Sequence, residues 1–335
     1  MKATFDGKVV RLGKEGRVLY DQSGYGRPDG EGLRLAHEEA LYLLHRSRIG
    51  IEGYDFERLL AELAPDPNLL RSFLVYRDLR ERGYVVQTGP HDFRVFPRGV
   101  RPGTGQSRFM VRVLSERDLV DFGLLVREWT ASSHMRKQHL LAIVDDENEL
   151  TYYEIRVQAL EPVPEGPGCT EVTGVLAGRT AIVAYPAGTP GPMDTFGMRL
   201  DRDRIILSPL ETVYLLEAGC LALSGSGGPV RAEDFYGVAA SADSEFGEKS
   251  TVYSDLRKKG FVPRTGYKFG HHFRVYSGDK LHSAMLVHAL DKGSALPMST
   301  ISRSVRLAHS VKKKMLFACV HSTGIQYVEF ARIKL

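Results

Sequence analysis

The chain is poor in cysteine and has no long apolar run. Its 335 residues include three cysteines, Cys169, Cys220 and Cys319, which are far apart and form no Cys-x-x-Cys pair. This spacing argues against a disulfide framework or a zinc ribbon. No stretch approaches the ~18 consecutive apolar residues of a membrane helix, and the first residues lack the apolar core of a secretion signal. We therefore expect no membrane association and a cytoplasmic location.

The composition is that of a folded protein with a mild positive charge. Hydrophobic side chains make up 43% and charged side chains 26% of the chain, and its length suggests about two domains. The net charge of +4 is too small to prove a polyanionic partner. The charge is unevenly distributed, however, because residues 301–335 hold seven Lys/Arg against one acid, Glu329. The carboxyl-terminal region is therefore a candidate for contact with phosphates.

An internal repeat organises the chain. Residues 74–89, LVYRDLRERGYVVQTG, match residues 251–266, TVYSDLRKKGFVPRTG, at nine of sixteen positions. Similar residues continue along both halves at an offset that stays between 176 and 180. Self-similarity at a fixed offset indicates that one structural unit occurs twice.

The repeat and the Pro/Gly-rich segment in the middle of the chain predict the domain organisation. We predict a first copy over 1–159, a linker over 160–168 and a second copy over 169–335. Each copy divides further, into 1–68 and 69–159 in the first and into 169–248 and 249–335 in the second. The order of predicted strands and helices gives the fold class α/β (mixed α+β), with a helix laid across a central sheet.

The second copy contains tyrosine, histidine and lysine side chains that together can cleave a phosphodiester. Tyr276 lies at the end of a predicted strand, His282 follows a turn, and Lys312, Lys313 and Lys314 precede a strand. A base can take the 2′-OH proton of a ribose, an acid can protonate the leaving 5′-oxygen, and a cation can stabilise the added negative charge. Such a site needs no metal ion.

Comparison of the copies strengthens these candidates. Taken singly, a strand-end Tyr, a lone His or a Lys triplet is most often a packing or solvated residue. The candidates and their counterparts in the first copy are Tyr276 and Phe96, His282 and Gln106, and Lys313 and Lys137. Packing alone would accept Phe for Tyr, so the hydroxyl present in one copy points to chemistry confined to that copy.

A zinc site is the alternative reading of the histidines. His271 and His272 could be combined with His282 and Cys319. Adjacent histidines on a strand point to opposite faces, which makes joint ligation difficult. We therefore expect no metal and no other cofactor.

The combined motifs resemble the archaeal tRNA-intron splicing endonucleases. The resemblance rests on Tyr-x-Asp-Leu-Arg-x-x-Gly-Phe/Tyr, Thr-Gly-Tyr-Lys-Phe-Gly-x-x-Phe-Arg-Val-Tyr, His-Ser and Val-Arg-Leu-Ala-His-Ser-Val-Lys-Lys, and it covers essentially the whole chain. It is closest to the homodimeric class, in which an inactive copy is fused to an active one. The resemblance implies that each copy has an N-terminal α/β subdomain and a restriction-endonuclease-like catalytic-type subdomain.

The same resemblance implies roles for individual residues. The family's general base falls on Tyr276, its general acid on His282 and its charge-stabilising lysine on Lys313, although the adjacent Lys312 and Lys314 leave the register of the lysine open. Two family arginines that hold a flipped-out bulge nucleotide fall on Arg306 and Arg332. Their counterparts in the first copy are Thr130 and Arg156, so that copy should neither cut nor hold the nucleotide.

The resemblance also implies a homodimer. In the family an acidic loop of the inactive copy enters a polar groove of a partner chain. The candidate here is Ser115–Asp121, with Glu116, Asp118 and Asp121 as the anions. A solvated helix start is an equally good reading of this segment.

The expected function is cleavage of precursor tRNA at both borders of an intron folded as a bulge-helix-bulge. Attack by the 2′-OH would leave a 2′,3′-cyclic phosphate and a 5′-hydroxyl, the reaction of a metal-independent tRNA-intron lyase. Two alternatives remain open at this point, an inactive RNA-binding subunit and a metal-dependent nuclease.

Overall fold

The computed structural model describes residues 1–163, 170–188, 191–277, 282–291 and 293–335. They form two compact units. The first unit comprises Met1–Arg156, Ala295–Arg303 and Phe330–Leu335, and the second comprises Val157–Ser294 and Ser304–Glu329. Both units are mixed α/β, which confirms the predicted fold class. The predicted domain boundaries stay a prediction, and residues 164–168 of the predicted linker lie outside the described residues.

The first unit begins with a small sheet and three helices. The Asp6 carboxylate accepts hydrogen bonds from the backbone of Lys8 (3.0 Å) and Val9 (2.8 Å), which closes the first hairpin turn. The strands are β1 (Lys2–Phe5), β2 (Val10–Leu12), β3 (Arg27–Asp29), β4 (Gly32–Leu35) and β5 (Gly50–Ile51), in the order β3-β4-β2-β1-β5. The helices are α1 (Arg17–Ser23), α2 (His37–His45) and α3 (Phe56–Leu63).

The remainder of the first unit is a larger sheet crossed by two helices. The helices are α4 (Leu69–Glu81) and α5 (Phe122–His134). The strands are β6 (Val85–Thr88), β7 (Phe93–Phe96), β8 (Phe109–Ser115), β9 (Leu119–Asp121), β10 (Gln138–Val144) and β11 (Leu150–Gln158). Strands β11, β10, β8, β7 and β6 are neighbours in that order, with β8 and β10 parallel. The α4 helix ends where Gly83 adopts φ +88°, a conformation that glycine takes without a Cβ clash.

The second unit repeats both parts. Its small sheet has the order β14-β15-β13-β12-β16-β17, built from β12 (Val172–Ala177), β13 (Thr180–Ala184), β14 (Met198–Arg199), β15 (Arg204–Leu207), β16 (Leu221–Gly225) and β17 (Gly228–Pro229). Its helices are α6 (Pro209–Glu217), α7 (Ala232–Ala242) and α8 (Phe246–Lys258). The larger sheet has the order β18-β19-β20-β22-β23, built from β18 (Phe261–Thr265), β19 (Phe273–Ser277), β20 (Met285–Leu290), β22 (Lys314–His321) and β23 (Gly324–Ile333). Strand β21 (Ala295–Pro297), which belongs to the first unit, pairs with β9 of that unit, and α9 (Met298–Ser310) follows β21 in the chain.

A buried glutamate stabilises the corresponding loop in each unit, and in the second unit it is also paired with an arginine. Glu39 accepts from the backbone N–H of Gly26 (2.9 Å), and Glu211 accepts from that of Gly197 (2.8 Å). Arg264 lies 3.1 Å from the Glu211 carboxylate. At the corresponding place in the first unit Gln87 donates to the Gly26 carbonyl at 3.2 Å. Burial raises the pKa of Glu39 to about 7, because desolvation disfavours the charged carboxylate.

The cysteines depart from the sequence-based expectation in one respect. Cys220 is disulfide-bonded, whereas Cys319 is a buried free thiol whose pKa burial raises to about 12. Cys169 lies outside the described residues. Spacing in sequence could not show the cross-link, since a disulfide depends on the distance between Cα atoms in the folded chain.

None of the helices in the described ranges is both long and apolar enough to cross a bilayer.

Candidate active site

Strand register brings the three catalytic candidates to one end of the larger sheet of the second unit. Strand β19 runs antiparallel to β20, and β20 runs parallel to β22. Tyr276 therefore lies at the end of β19 where β20 and β22 begin. His282 lies three residues before β20, and Lys313 lies directly before β22. Two backbone hydrogen bonds join the strands there, from Ala284 to Val275 (2.9 Å) and from Lys314 to Ala284 (3.2 Å).

Lys313 is held at this sheet end by side chain and backbone. Its Nζ donates to the carbonyl oxygen of Ser283 at 2.8 Å, next to His282 in the chain. Its backbone N–H donates to Ala308 at the end of α9 (2.8 Å). An ammonium has three donors, so this contact leaves two for phosphate oxygens.

The two flanking lysines are both exposed, whereas Lys313 is half-buried. Lys312 is exposed and adopts φ +56°, and the Nζ of Lys314 lies 3.6 Å from the Glu329 carboxylate. The geometry therefore supports Lys313 as the member of the triplet directed towards the His282 segment. Sequence alone left this choice open.

His282 is exposed and Tyr276 is half-buried. Arg274, on the same face of β19, places its guanidinium carbon 5.8 Å from the Tyr276 ring centroid. Residues 278–281, which join Tyr276 to His282, lie outside the described residues. The Phe-Arg-Val sequence shared by both copies was the signal that could have drawn attention to Arg274.

The first unit has the same strand connections without the same chemistry. The backbone N–H of Arg108 donates to Val95 (2.8 Å), and that of Lys137 donates to Ser132 (2.9 Å). Their counterparts in the second unit are the bonds from Ala284 to Val275 and from Lys313 to Ala308. These contacts support the pairing of positions inferred from the repeat. Phe96, which replaces the tyrosine, is 4% exposed, and an exposed glutamine replaces the histidine. This sheet end can supply neither a phenol nor an imidazole.

The two arginines expected to hold a bulge nucleotide are both exposed. Arg306 is on α9 and Arg332 is near the end of β23, and they belong to different compact units. In the first copy, the Thr130 hydroxyl donates to Val126 within α5 (2.8 Å), and Arg156 pairs with Glu154 at 2.5 Å. Their role in RNA binding stays a prediction.

Two of the three expected dimer-loop anions have roles within the chain. The Asp118 carboxylate accepts from the backbone of Ser115 (2.8 Å) and lies 3.1 Å from Arg71. Asp121 caps α5 by accepting from the Leu124 N–H at 2.8 Å. Glu116 is half-buried and its backbone N–H donates to Val144. The alternative prediction, a solvated helix start, therefore fits Asp121, which caps α5.

A large open cavity in the second unit has four cations in its lining, beside the carboxylates Glu211 and Asp243 and several apolar residues. Its volume is about 1220 Å³, and its lining includes Arg179, Lys249, Arg264 and Arg274. Lys249 pairs with two carboxylates at 3.0 Å, which reduces its contribution to the field. The sequence gives no signal for this cavity, because its lining residues lie up to almost a hundred positions apart, from Arg179 to Arg274.

The adjacent histidines do not lie on a strand, so the prediction that they point to opposite faces of one was wrong. His271 and His272 precede β19 instead of alternating along it, and both rings contact His288, at centroid distances of 5.6 and 4.1 Å. Burial lowers the pKa of all three, to about 4 for His271, so they are neutral at physiological pH. Within the described residues no group of three His, Cys, Asp or Glu is arranged to hold a metal ion.

Comparison with known proteins matches both parts of both copies. The model of the tRNA intron endonuclease catalytic C-terminal domain matches residues 69–152 and 246–327. The model of the tRNA intron endonuclease N-terminal domain matches residues 1–61 and 172–236.

Similar full-length proteins come from archaea and are named tRNA-splicing endonuclease. The protein of Methanococcoides burtonii is 37% identical over 95% of both chains. That of Methanosarcina acetivorans is 36% identical over the full length of both, and that of Natronomonas pharaonis is 36% identical over 97% of both. The chain belongs to the tRNA intron endonuclease family, with the N-terminal and catalytic domains each present twice.

Proposed function

We propose that this protein cleaves precursor tRNA at both borders of an intron folded as a bulge-helix-bulge, without a metal ion. The observation that carries the proposal is the meeting of three strand ends in the second unit, at Tyr276, His282 and Lys313. Family membership and the names of the relatives support RNA cleavage of this kind. Precursor tRNA as substrate makes the cytoplasm the expected compartment.

The proposed reaction is an internal transfer at phosphorus. Acting as its phenolate, Tyr276 takes the proton of the ribose 2′-OH and becomes the phenol, and the 2′-oxygen forms a bond to phosphorus. The bond from phosphorus to the 5′-oxygen breaks, and protonated His282 gives its proton to that oxygen. The products are a 2′,3′-cyclic phosphate and a 5′-hydroxyl. The Lys313 ammonium stabilises the extra negative charge of the phosphorane.

The substrate supplies its own nucleophile, so positioning and charge stabilisation are the main tasks of the protein. Exposed Arg306 and Arg332 are proposed to stack against an unpaired bulge nucleotide, which a planar guanidinium does better than an ammonium.

The test is cleavage of an intron-bearing precursor tRNA in chelator, followed by analysis of the fragment ends. We expect full activity in EDTA and cyclic phosphate ends. Loss of cleavage in EDTA would favour a metal-dependent nuclease, and absence of cleavage under all conditions would favour an RNA-binding subunit.

We also propose that the active form is a homodimer. Two cuts require two active copies, and a symmetric pair of doubled chains provides them. The proposed contact places Glu116, Asp118 and Asp121 of one chain against the large open cavity of the second unit of its partner. Arg179 and Arg274 of its lining are the cations offered to this segment, since Arg264 and Lys249 are paired with carboxylates of the same chain.

Light scattering at several salt concentrations tests the proposed contact. Glu116→Lys is the informative variant, because Asp118 and Asp121 also stabilise the chain itself. We expect it to dissociate the dimer. Glu147→Lys, on the exposed turn between β10 and β11, is the matched control. Dissociation by the control alone would mean that the wrong acidic segment is assigned.

A further inference from the structure

The small sheet of the first unit carries a row of arginines on its open face. Arg11 on β2 lies directly opposite Arg34 on β4, and Arg34 lies directly opposite Arg27 on β3. All three are exposed. Neighbouring strands are about 4.8 Å apart, so the row spans about 10 Å. Like charges directly opposite each other destabilise a sheet, so the row carries a cost in stability.

The second unit keeps the same sheet without these charges. At the corresponding places Ile182 is paired with Ile206, and Ile206 with Met198. The strand pairing is the same in both units. The fold therefore does not require arginine at these positions, and their presence in the first unit needs another reason.

The charge of the row is only partly neutralised within the chain. Arg11 pairs with Asp6 and, at 3.3 Å, with Asp29. The Arg27 guanidinium donates to a backbone carbonyl at 2.6 Å. Within the described residues no carboxylate lies within 4.0 Å of the Arg27 or Arg34 guanidinium. Two strong cations thus remain available to a ligand.

The row opens into a cavity. Arg27 and Arg34 line a cavity of about 590 Å³ together with Lys8 and His37. Glu38 and Glu39 also line it. Burial raises the pKa of both glutamates, to about 7 for Glu39. The outer part of the cavity and the arginine row form one basic surface.

We propose that this basic surface, made of Lys8, Arg11, Arg27 and Arg34, binds the phosphate backbone of RNA as a second contact outside the catalytic residues. Planar guanidinium groups bind phosphate oxygens through two parallel hydrogen bonds. Such contacts read charge and not sequence, so the surface raises the affinity for the RNA without choosing the cut site. That the RNA is precursor tRNA rests on the proposed function.

The test replaces Arg27 and Arg34 by the residues at the corresponding positions of the second unit, Met198 and Ile206. Arg27→Met with Arg34→Ile is compared with the unchanged chain, both carrying His282→Ala to slow cleavage during binding. Fluorescence anisotropy measures the Kd for full-length precursor tRNA across a salt series. We expect Kd to rise about tenfold and the slope of log K against log salt to become shallower by about two, because two phosphate contacts are lost.

Two further variants serve as controls. Arg231→Met removes an exposed arginine that is paired with Glu233 and Asp234, and should leave Kd unchanged. Arg27→Lys with Arg34→Lys keeps the charge but loses the paired hydrogen bonds, so it should keep the salt slope of the unchanged chain and lose less affinity than the Met/Ile exchange, which a misfolded variant would not do. With His282 intact, single-turnover cleavage at saturating protein should be the same for the arginine double variant and the unchanged chain.

Two results would overturn the proposal. An unchanged Kd and salt slope for the Met/Ile double variant would show that RNA does not contact this face. A change in oligomeric mass with unchanged RNA affinity would show that the face contacts protein. Failure of the unchanged chain to cut precursor tRNA is a separate outcome, which refutes the proposed function while leaving the binding comparison valid.

Discussion

Replacement of Lys313 by Met tests the catalytic assignment most directly. The change removes the ammonium that donates to Ser283 at 2.8 Å and keeps a chain of similar length. Loss of one preorganised donor to a developing oxyanion costs about 10²–10³ in rate. We therefore expect single-turnover cleavage of precursor tRNA to slow by about 10²–10³ at saturating protein.

The structure also predicts a small effect on stability. The Ser283 carbonyl loses one hydrogen bond, worth about 1 kcal/mol, which corresponds to a Tm lower by about 2–4 °C. A stability loss of this size leaves the protein folded at the assay temperature. The loss of rate can then be assigned to the missing charge.

Matched variants decide whether the reasoning about register is right. Lys312→Met and Lys314→Met remove the neighbouring ammonium groups, and Lys137→Met makes the same change at the corresponding sheet end of the first unit. Each should keep the cleavage rate within a few-fold of the unchanged chain. If Lys312→Met or Lys314→Met abolishes cleavage while Lys313→Met does not, the assignment is refuted.

Three further outcomes are expected. His282→Ala should lower the cleavage rate by about 10²–10⁴ with little change in RNA affinity, and a normal rate would exclude it as the acid. Tyr327→Phe removes a 2.7 Å hydrogen bond from a buried hydroxyl to Asp255 and should cost about 1.5–3 kcal/mol in denaturant unfolding; an unchanged midpoint would contradict this. Gln87→Arg places a guanidinium at the position that corresponds to Arg264, the partner of Glu211. The raised pKa of Glu39, about 7, means that the folded state holds a proton that the unfolded state releases above about 4.5, so stability falls as pH rises between these values. The variant should therefore raise Tm more at pH 8 than at pH 5, as scanning fluorimetry would show, and an equal shift at both pH values would count against the buried charge as cause.

Much of the larger sheet was predictable because its signals are local. The helix that ends before Gly260 needs a residue free to adopt positive φ, and the structure shows φ +80° there. The strand containing Phe273-Arg-Val-Tyr276 is present as β19. Errors came where position within an element mattered. His271 and His272 were treated as strand residues, but they precede β19 and so do not alternate.

The chain sequence by itself determined the doubling, the residue types of the candidate site and the loss of those types in the first copy. These follow from comparing aligned positions, which requires no coordinates. Only the tertiary structure decided that Lys313, and not its neighbours, is directed towards the segment of His282, and that Arg11, Arg27 and Arg34 form a row. The physical reason is the same in both cases. Hydrogen bonding between strands sets which residues lie opposite each other, and that register joins residues whose separation along the chain carries no signal.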